Sequence, residues 1–366
     1  VIGAGIVGVT TAFELSADGH AVTVFERRSA VAEESSFANA GVLAPGYVTP
    51  WAAPGMPWKL VSQLFRRHAA VRFGGLRSLA LMPWMWRWWR ACRPAAYRCN
   101  RGAMQDLAQY SRQRLQMLSG SLQLDFEQAQ GFLVLLRTDR QVTAAAPSLK
   151  LLQELGVTHE LVNAERCRAL EPGLNAQTDL AGAIHLPQDG VGNCRHFAHL
   201  LKAEAQRLGA RFRFDHDVQG VVPGTAPRLE WRHDGAPDGG EFDAVVVCAG
   251  VQANAVLRGC GLSLPLAPVH GYSITAPLRH FDAAQVGPRS ALMDETYMIA
   301  LSRLGQRVRV AGSAELGGSL TAMNPSAIAT LYRVLDDWFP GAAQLRDVQV
   351  WKGSRPMLPD GPPVLG

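Results

Sequence analysis

The run Val1-Ile2-Gly3-Ala4-Gly5-Ile6-Val7-Gly8 constrains the fold more than any other stretch of the chain. Val1-Ile2 reads as the end of a buried strand and Gly3 to Gly8 as a G-x-G-x-x-G turn, with a helix from Val9 to Ala17 that Gly19 stops. Gly3 permits the tight turn, Gly5 lets a pyrophosphate approach the backbone beside Ile6, and Gly8 lets helix and sheet pack closely. Phosphates would then meet unpaired N–H groups and the positive end of the helix dipole. Ala21 to Phe25 forms the next strand, and Glu26 at its end lies 18 residues after Gly8, near the spacing that suits a ribose hydroxyl. In register, these elements predict a dinucleotide-binding domain.

At 366 residues, two domains or one interrupted domain is expected. A hydrophobic content of 48% with 18% charged residues describes a folded chain with a large core. The cysteines at 92, 99, 167, 194, 248 and 260 show neither C-x-x-C pairing nor metal-ligand spacing, so no metal site is expected. Cys92 and Cys99 read as sharing a helical face as buried thiols, and a reducing, cytoplasmic setting follows. No apolar run approaches the roughly 18 residues a spanning helix needs. Both ends read as cut: two strand residues precede Gly3, and Gly361 to Gly366 stops as a strand begins.

After Arg27-Arg28, the stretch Glu33-Glu34-Ser35-Ser36-Phe37-Ala38-Asn39-Ala40-Gly41 is a small polar loop suited to passing close to a cofactor; an ordinary surface loop is the alternative. From Ser35 to Gln105 there is no Asp or Glu but ten Lys or Arg, giving +10 in a chain of net +5. Six of the nine tryptophans lie there, including Trp84, Trp86, Trp88 and Trp89. Such a stretch suits an anionic membrane surface, or else a helix with buried tryptophans and a solvated basic face. Nothing resembles a nucleic-acid reading helix or stacking sheet.

Further along, helices are expected over Gln105–Gly120, Ser148–Leu155, Arg195–Leu208 and Pro325–Trp338. Strands are expected over Gly131–Leu136, Gly182–Leu186, Arg211–Phe214, Val269–Thr275 and Arg307–Gly312. Asp189 to Asn193 reads as a turn, Asp217 to Val221 follows the Arg211–Phe214 strand, and Asp234-Gly235 reads as a hairpin. Phe242 to Gly250 reads as a buried strand whose end, Ala249-Gly250, is the small-residue turn expected where a parallel sheet meets its ligand.

Four stretches together resemble the D-amino-acid-oxidase-type flavoprotein superfamily. They are the N-terminal fingerprint with Glu26, Ser35 to Gly41 running on to Pro45-Gly46-Tyr47, Pro268 to Ile274, and Gly353-Ser354-Arg355-Pro356 with Pro359-Asp360-Gly361. The resemblance implies an α/β (α+β overall) architecture: an interrupted Rossmann-like FAD-binding domain with a second, mixed-sheet substrate domain. Its segments would be 1–100 (with the basic, Trp-rich insertion), 188–262 and 350–366 for the cofactor, and 101–187 and 263–349 for the substrate. The family pattern continues past Gly366 with a strand, glycine turn and helix that close the flavin site. No His or Cys stands where relatives link flavin covalently, so FAD is expected to be held non-covalently by Gly3, Gly5, Ile6, Gly8, Glu26, Arg27, Ser35, Ser36, Asn39, Ala40, Gly41, Val218, Ala249 and Gly250.

The implied reaction is oxidation of a D-amino acid to an imino acid that hydrolyses to a 2-oxo acid and ammonia, with electrons passed to a quinone or respiratory acceptor. Arg355 stands at the family's carboxylate-binding position, and Tyr272 and Tyr47 are candidates to line the pocket. An oxidase or demethylase of glycine, sarcosine or a cyclic imino acid, and a non-catalytic flavin-binding subunit, remain open. The basic stretch would hold the enzyme peripherally on the inner face of the plasma membrane.

Overall fold

A computed structural model describes residues 1–63, 68–279 and 286–365. The chain divides into two compact units. The first comprises Val1–Asn39, Cys194–Pro268 and Ser354–Met357, and the second Ala40–Asn193, Val269–Gly353 and Leu358–Gly366.

The first unit is built around a small parallel sheet. Thr23–Phe25 pairs with Arg211–Arg213, and Ile2 bridges Phe25 on one side and Val247 on the other. Helix Ile6–Ala17 buries Val9, Ala12 and Phe13, and helix Cys194–Arg207 buries Phe197, Ala198 and Leu201 at the 3.6-residue spacing of one face. The two helices pack together. An antiparallel meander of His216–Val222, Arg228–His233 and Ala236–Glu241 completes the unit, its second turn made by Asp234 and Gly235 with φ of +50° and +79°. Ile2, Phe25, Val221, Leu229, Trp231 and Val256 form its core.

Phe242 to Gly250 does not form the buried strand its sequence suggests. It makes a single bridge at Val247, and Val246 is 38% exposed, because among the described residues only the Ile2 side offers a pairing edge.

The second unit is organised by a ten-stranded mixed sheet. Its path runs Gln349–Met357, Ala267–Pro277, Arg307–Leu316, Ile299–Leu304, Ala291–Asp294, Ala129–Leu136, Gly182–Val191 and Val42–Leu43. Val71–Phe73 joins Arg307–Leu316, and Glu160–Asn163 joins Gly182–Val191. Ala267–Pro277 is buried almost continuously, as a strand covered on both faces must be. Helix Pro325–Trp338 covers part of the sheet with Leu331, Val334, Leu335 and Trp338, each buried side chain contributing about 1.5–3 kcal/mol. Asn324 caps that helix by accepting from Ser326 N and Ala327 N, and Pro325 opens it.

Four local expectations change here. Asp189 to Val191 continues the Gly182–Val191 strand instead of turning, because Val42–Leu43 and Ala129–Leu136 pair with it and Gly190 lets Ala129 O pass where a Cβ would lie 2.1 Å away. The Gln105–Gly120 helix begins earlier, spanning Pro94–Ser121, since proline suits the first turn. That same break puts Cys92 at the end of helix Met82–Ala91 and Cys99 in the next helix, so they share no face. Finally, residues 40–100 group with the second unit and not the cofactor segment, because Val42–Leu43 and Val71–Phe73 are strands of its sheet; the other two cofactor segments become Cys194–Pro268 and Ser354–Met357.

Candidate active site

The first unit contains a cavity of about 450 Å³ at the start of helix Ile6–Ala17, within the size range of small-molecule sites. Gly3 and Gly8 shape its floor from below. A Cβ on Gly8 would sit 1.8 Å from Gly3 O, and one on Gly3 would sit 2.7 Å from Cys248 O, so both glycines serve backbone packing. Gly5 differs. It caps the helix with φ −67° and ψ −179°, has no side-chain capping bond, and a Cβ there would meet only Ser36 Oγ at 3.4 Å. Nothing inside the protein requires glycine at that position. The free space faces the cavity, as an approaching pyrophosphate would need.

Around this turn the polar groups are held in place by one another. Ser36 Oγ accepts from Ile6 N at 3.0 Å, pinning the loop to the helix start. Glu26 accepts from Ala4 N at 2.7 Å through one oxygen and from Arg28 N at 2.9 Å through the other. Burial pushes its carboxyl pKa up, and those two backbone bonds oppose the shift. Arg27 is engaged bidentately by Glu34, both bonds at 2.7 Å, so it reaches the cavity wall already paired. Ser35 Oγ donates to Ser354 O, tying the same loop to the strand that carries Arg355.

Of the predicted cofactor residues, Gly3, Gly5, Ile6, Glu26, Arg27, Ser35, Ser36, Asn39, Val218, Ala249 and Gly250 line this cavity. Gly8 lies beneath it as packing. Ala40 and Gly41 belong to the second unit, where Ala40 O accepts from Ser302 Oγ at 2.6 Å and Gly41 O from Gly192 N at 2.8 Å. Sequence reading missed His216, Asp217 and Gln219, which flank Val218 on strand His216–Val222, and Gln252 beyond the glycine turn. Their proximity to Val218 and Gly250 was the available signal.

Arg355 lies in the first unit, between Ser354 and Pro356, and Pro356 itself lines the cavity. Its side chain remains open to solvent, yet the protein around it desolvates the guanidinium and lowers its pKa. Tyr47 lies in the second unit, partly buried against Phe132, and its hydroxyl donates to Glu295 Oε2 at 3.0 Å. Tyr272, also in the second unit, is 1% exposed within the apolar core; its hydroxyl donates to Glu315, and the Lys352 ammonium sits 4.9 Å from its ring. The sequence could not separate a pocket tyrosine from a core one, and the structure gives Tyr272 the core position. The two tyrosines pack with different core clusters and are not brought together. Among the described residues no cluster of three or more His, Cys, Asp or Glu could hold a metal ion.

The family model described as FAD dependent oxidoreductase matches residues 1–366. A D-amino acid dehydrogenase of Cereibacter sphaeroides is 43% identical over 372 residues, covering 100% of this chain and 83% of that protein. One from Bradyrhizobium diazoefficiens is 37% identical, covering 100% of this chain and 86% of the relative. Among solved structures, glycine oxidase from Geobacillus kaustophilus superposes with a TM-score of 0.71 at 20% identity, covering 100% of this chain and 84% of that one. L-proline dehydrogenase from P. horikoshii gives 0.65 at 18% identity, covering 100% and 83%. With the glycine turn, the acid at the strand end and a match along its whole length, the chain belongs to the FAD-dependent oxidoreductase family and is an FAD-dependent enzyme.

Proposed function

We propose that this protein oxidises D-amino acids to 2-oxo acids and ammonia, holds FAD non-covalently, and passes electrons to a quinone or respiratory carrier. The observation that carries this reading is the place of Arg355. The residue before it is hydrogen-bonded to the cofactor loop and the residue after it lines the cofactor cavity. Similarity to relatives named D-amino acid dehydrogenase supports the substrate class.

Bound FAD supplies the two-electron acceptor for the substrate's α-hydrogen. The protein's work is orientation. Arg355 offers a planar fork to the α-carboxylate, and its partly desolvated setting strengthens that attraction. Each Glu26 oxygen accepts one backbone N–H and keeps a second lone pair for a ribose hydroxyl. Tyr47, its hydroxyl already committed to Glu295, is a candidate wall of the substrate pocket.

Arg355→Ala tests the reading. FAD content should stay normal while kcat/KM for D-alanine falls by about 2–5 kcal/mol equivalents, the cost of removing one member of a desolvated charge pair. Arg355→Lys should recover part of the loss, because an ammonium lacks the fork. Near-normal turnover by Arg355→Ala would refute the role.

The acceptor half of the reading draws on helix Met82–Ala91. Trp84 and Trp88 turn inward, with ring centroids 6.4 and 6.0 Å from Trp51. Trp86 and Trp89 turn outward at 55% exposure each, beside exposed Met82, Arg87, Arg90 and Arg93. The helix thus combines a core face with an aromatic, basic outer face. Among the described residues no helix is long and apolar enough to cross a membrane. The outer face suits docking on anionic lipid, each basic residue contributing about 1 kcal/mol. Sedimentation with anionic liposomes should fall with salt and when Arg87, Arg90 and Arg93 become Gln. Indifference to such liposomes at low salt would remove the membrane from the reading.

A further inference from the structure

The wall of the cofactor cavity carries a charge pattern that amino acid oxidation does not call for. The carboxylates of Glu26, Glu33, Glu34 and Asp217 line it against a single guanidinium, that of Arg27. All five residues belong to the first unit. Arg27 directly follows Glu26, the acid placed for the ribose. In dinucleotide sites such an acid favours a free ribose 2′-hydroxyl, whereas a nearby arginine accommodates a 2′-phosphate. The chain thus sets a rejecting and an accepting side chain next to each other.

Glu34 decides between them. Its Oε1 accepts from Arg27 Nε and its Oε2 from Arg27 Nη2, both at 2.7 Å. That edge of the guanidinium is a planar fork which a phosphate could otherwise meet through parallel N–H bonds, and a carboxylate already fills it. The clamp is braced on several sides. Arg28 Nε adds a third bond to Glu34 Oε1 at 2.9 Å, and Arg28 N donates to Glu26 at 2.9 Å. Ala4 N, in the glycine turn, holds the other Glu26 oxygen at 2.7 Å. The loop that carries Glu34 is pinned to the helix start by the Ile6 N to Ser36 Oγ bond. Arg27 and Glu34 both act electrostatically on Glu26, in opposite directions.

We propose that Glu34 sets the specificity of the adenosine end of the site: by occupying Arg27, it makes the cavity refuse adenine nucleotides that carry a phosphate on the ribose 2′-hydroxyl, and so keeps the site for FAD. This rests on the reading of the cavity as the FAD site. An entering 2′-phosphate meets Glu26 and a guanidinium that is already neutralised, and like charges brought together cost affinity. Released from Glu34, Arg27 would become the counter-ion that such a phosphate needs.

The test titrates the FAD-loaded protein with ADP and with ADP that carries a 2′-phosphate, and reads displaced FAD by its fluorescence. The wild-type protein should require about tenfold or more of the 2′-phosphorylated compound. Glu34→Gln keeps the shape and removes the charge, and should bring the two compounds within about twofold of each other. The gained affinity should weaken with salt. Adding Arg27→Gln to Glu34→Gln should restore the preference for ADP, because Glu26 remains and the accepting cation is gone. Loss of a merely structural brace would not be repaired by removing its second partner. If Glu34→Gln holds no flavin, Glu34→Asp decides, since its shorter arm grips the fork less completely and should lower the ratio part of the way. A wild-type protein that does not discriminate, a Glu34 variant that keeps the wild-type ratio, or a double variant that stays indifferent overturns the proposal. Those results sink this inference alone, whereas a Gly5→Val protein that keeps its flavin sinks the placement of FAD in the cavity and the inference with it.

Discussion

In the first unit, side chains are left out so that a ligand can come in; in the second, charged side chains are sunk into a covered sheet. The cofactor cavity rests on backbone freed by Gly3, Gly5 and Gly8, with Glu26 and Ser36 fastened by N–H groups of the same turn. The second unit buries Lys352, Glu315 and Tyr272 as one cluster, in which the lysine donates to Glu315 at 3.1 Å and to Ser319 O and Ala322 O at 2.7 Å. All three ammonium protons are thereby used. The contrast teaches that one chain can specify a site by emptiness and another region by fully satisfied charge. Substitutions in the two regions therefore fail differently.

The largest expected effect lies in the second region. Lys352→Met leaves Glu315 buried without the ammonium that pairs with it at 3.1 Å, and should cost about 3–5 kcal/mol of stability. Combining it with Glu315→Gln should recover much of that, because the stranded charge is then removed. Denaturant unfolding of the three proteins measures both numbers. A single-variant loss below about 1 kcal/mol would mean that the cluster does not organise the sheet.

The glycine turn sharpens the comparison within a single motif. Gly8→Ala drives a Cβ toward Gly3 O and should destabilise the apo-protein by about 3 kcal/mol. Gly5→Val should leave apo-stability within about 0.5 kcal/mol, since its backbone angles suit any residue. It should nevertheless abolish FAD binding, because the branched side chain fills the space of the pyrophosphate. Equal stability losses in the two variants, or full flavin content in Gly5→Val, would erase the distinction.

What could be read from the sequence follows the same division. The glycine turn, Glu26, the Asp234-Gly235 hairpin and helix Pro325–Trp338 carry local signals, so they stand where spacing and turn chemistry put them. Gly190 reads as a turn residue, and only its pairing with Ala129–Leu136 makes it a strand position. Arg101 reads as one more surface arginine in a basic stretch, because burial is decided by the loop packed over it. Trp86 and Trp84 differ by two residues and nothing in composition, yet one faces out and the other in. Long-range packing settled each of these.

The central claim is that the cavity of the first unit holds FAD and that D-amino acids reduce it. Anaerobic mixing of the purified protein with D-alanine, and separately with L-alanine, while following flavin absorbance near its visible maximum tests this directly. The protein should be yellow, and its colour should be bleached by the D-enantiomer and not by the L-enantiomer. A protein without releasable FAD, or a flavin that no D-amino acid bleaches, would contradict it.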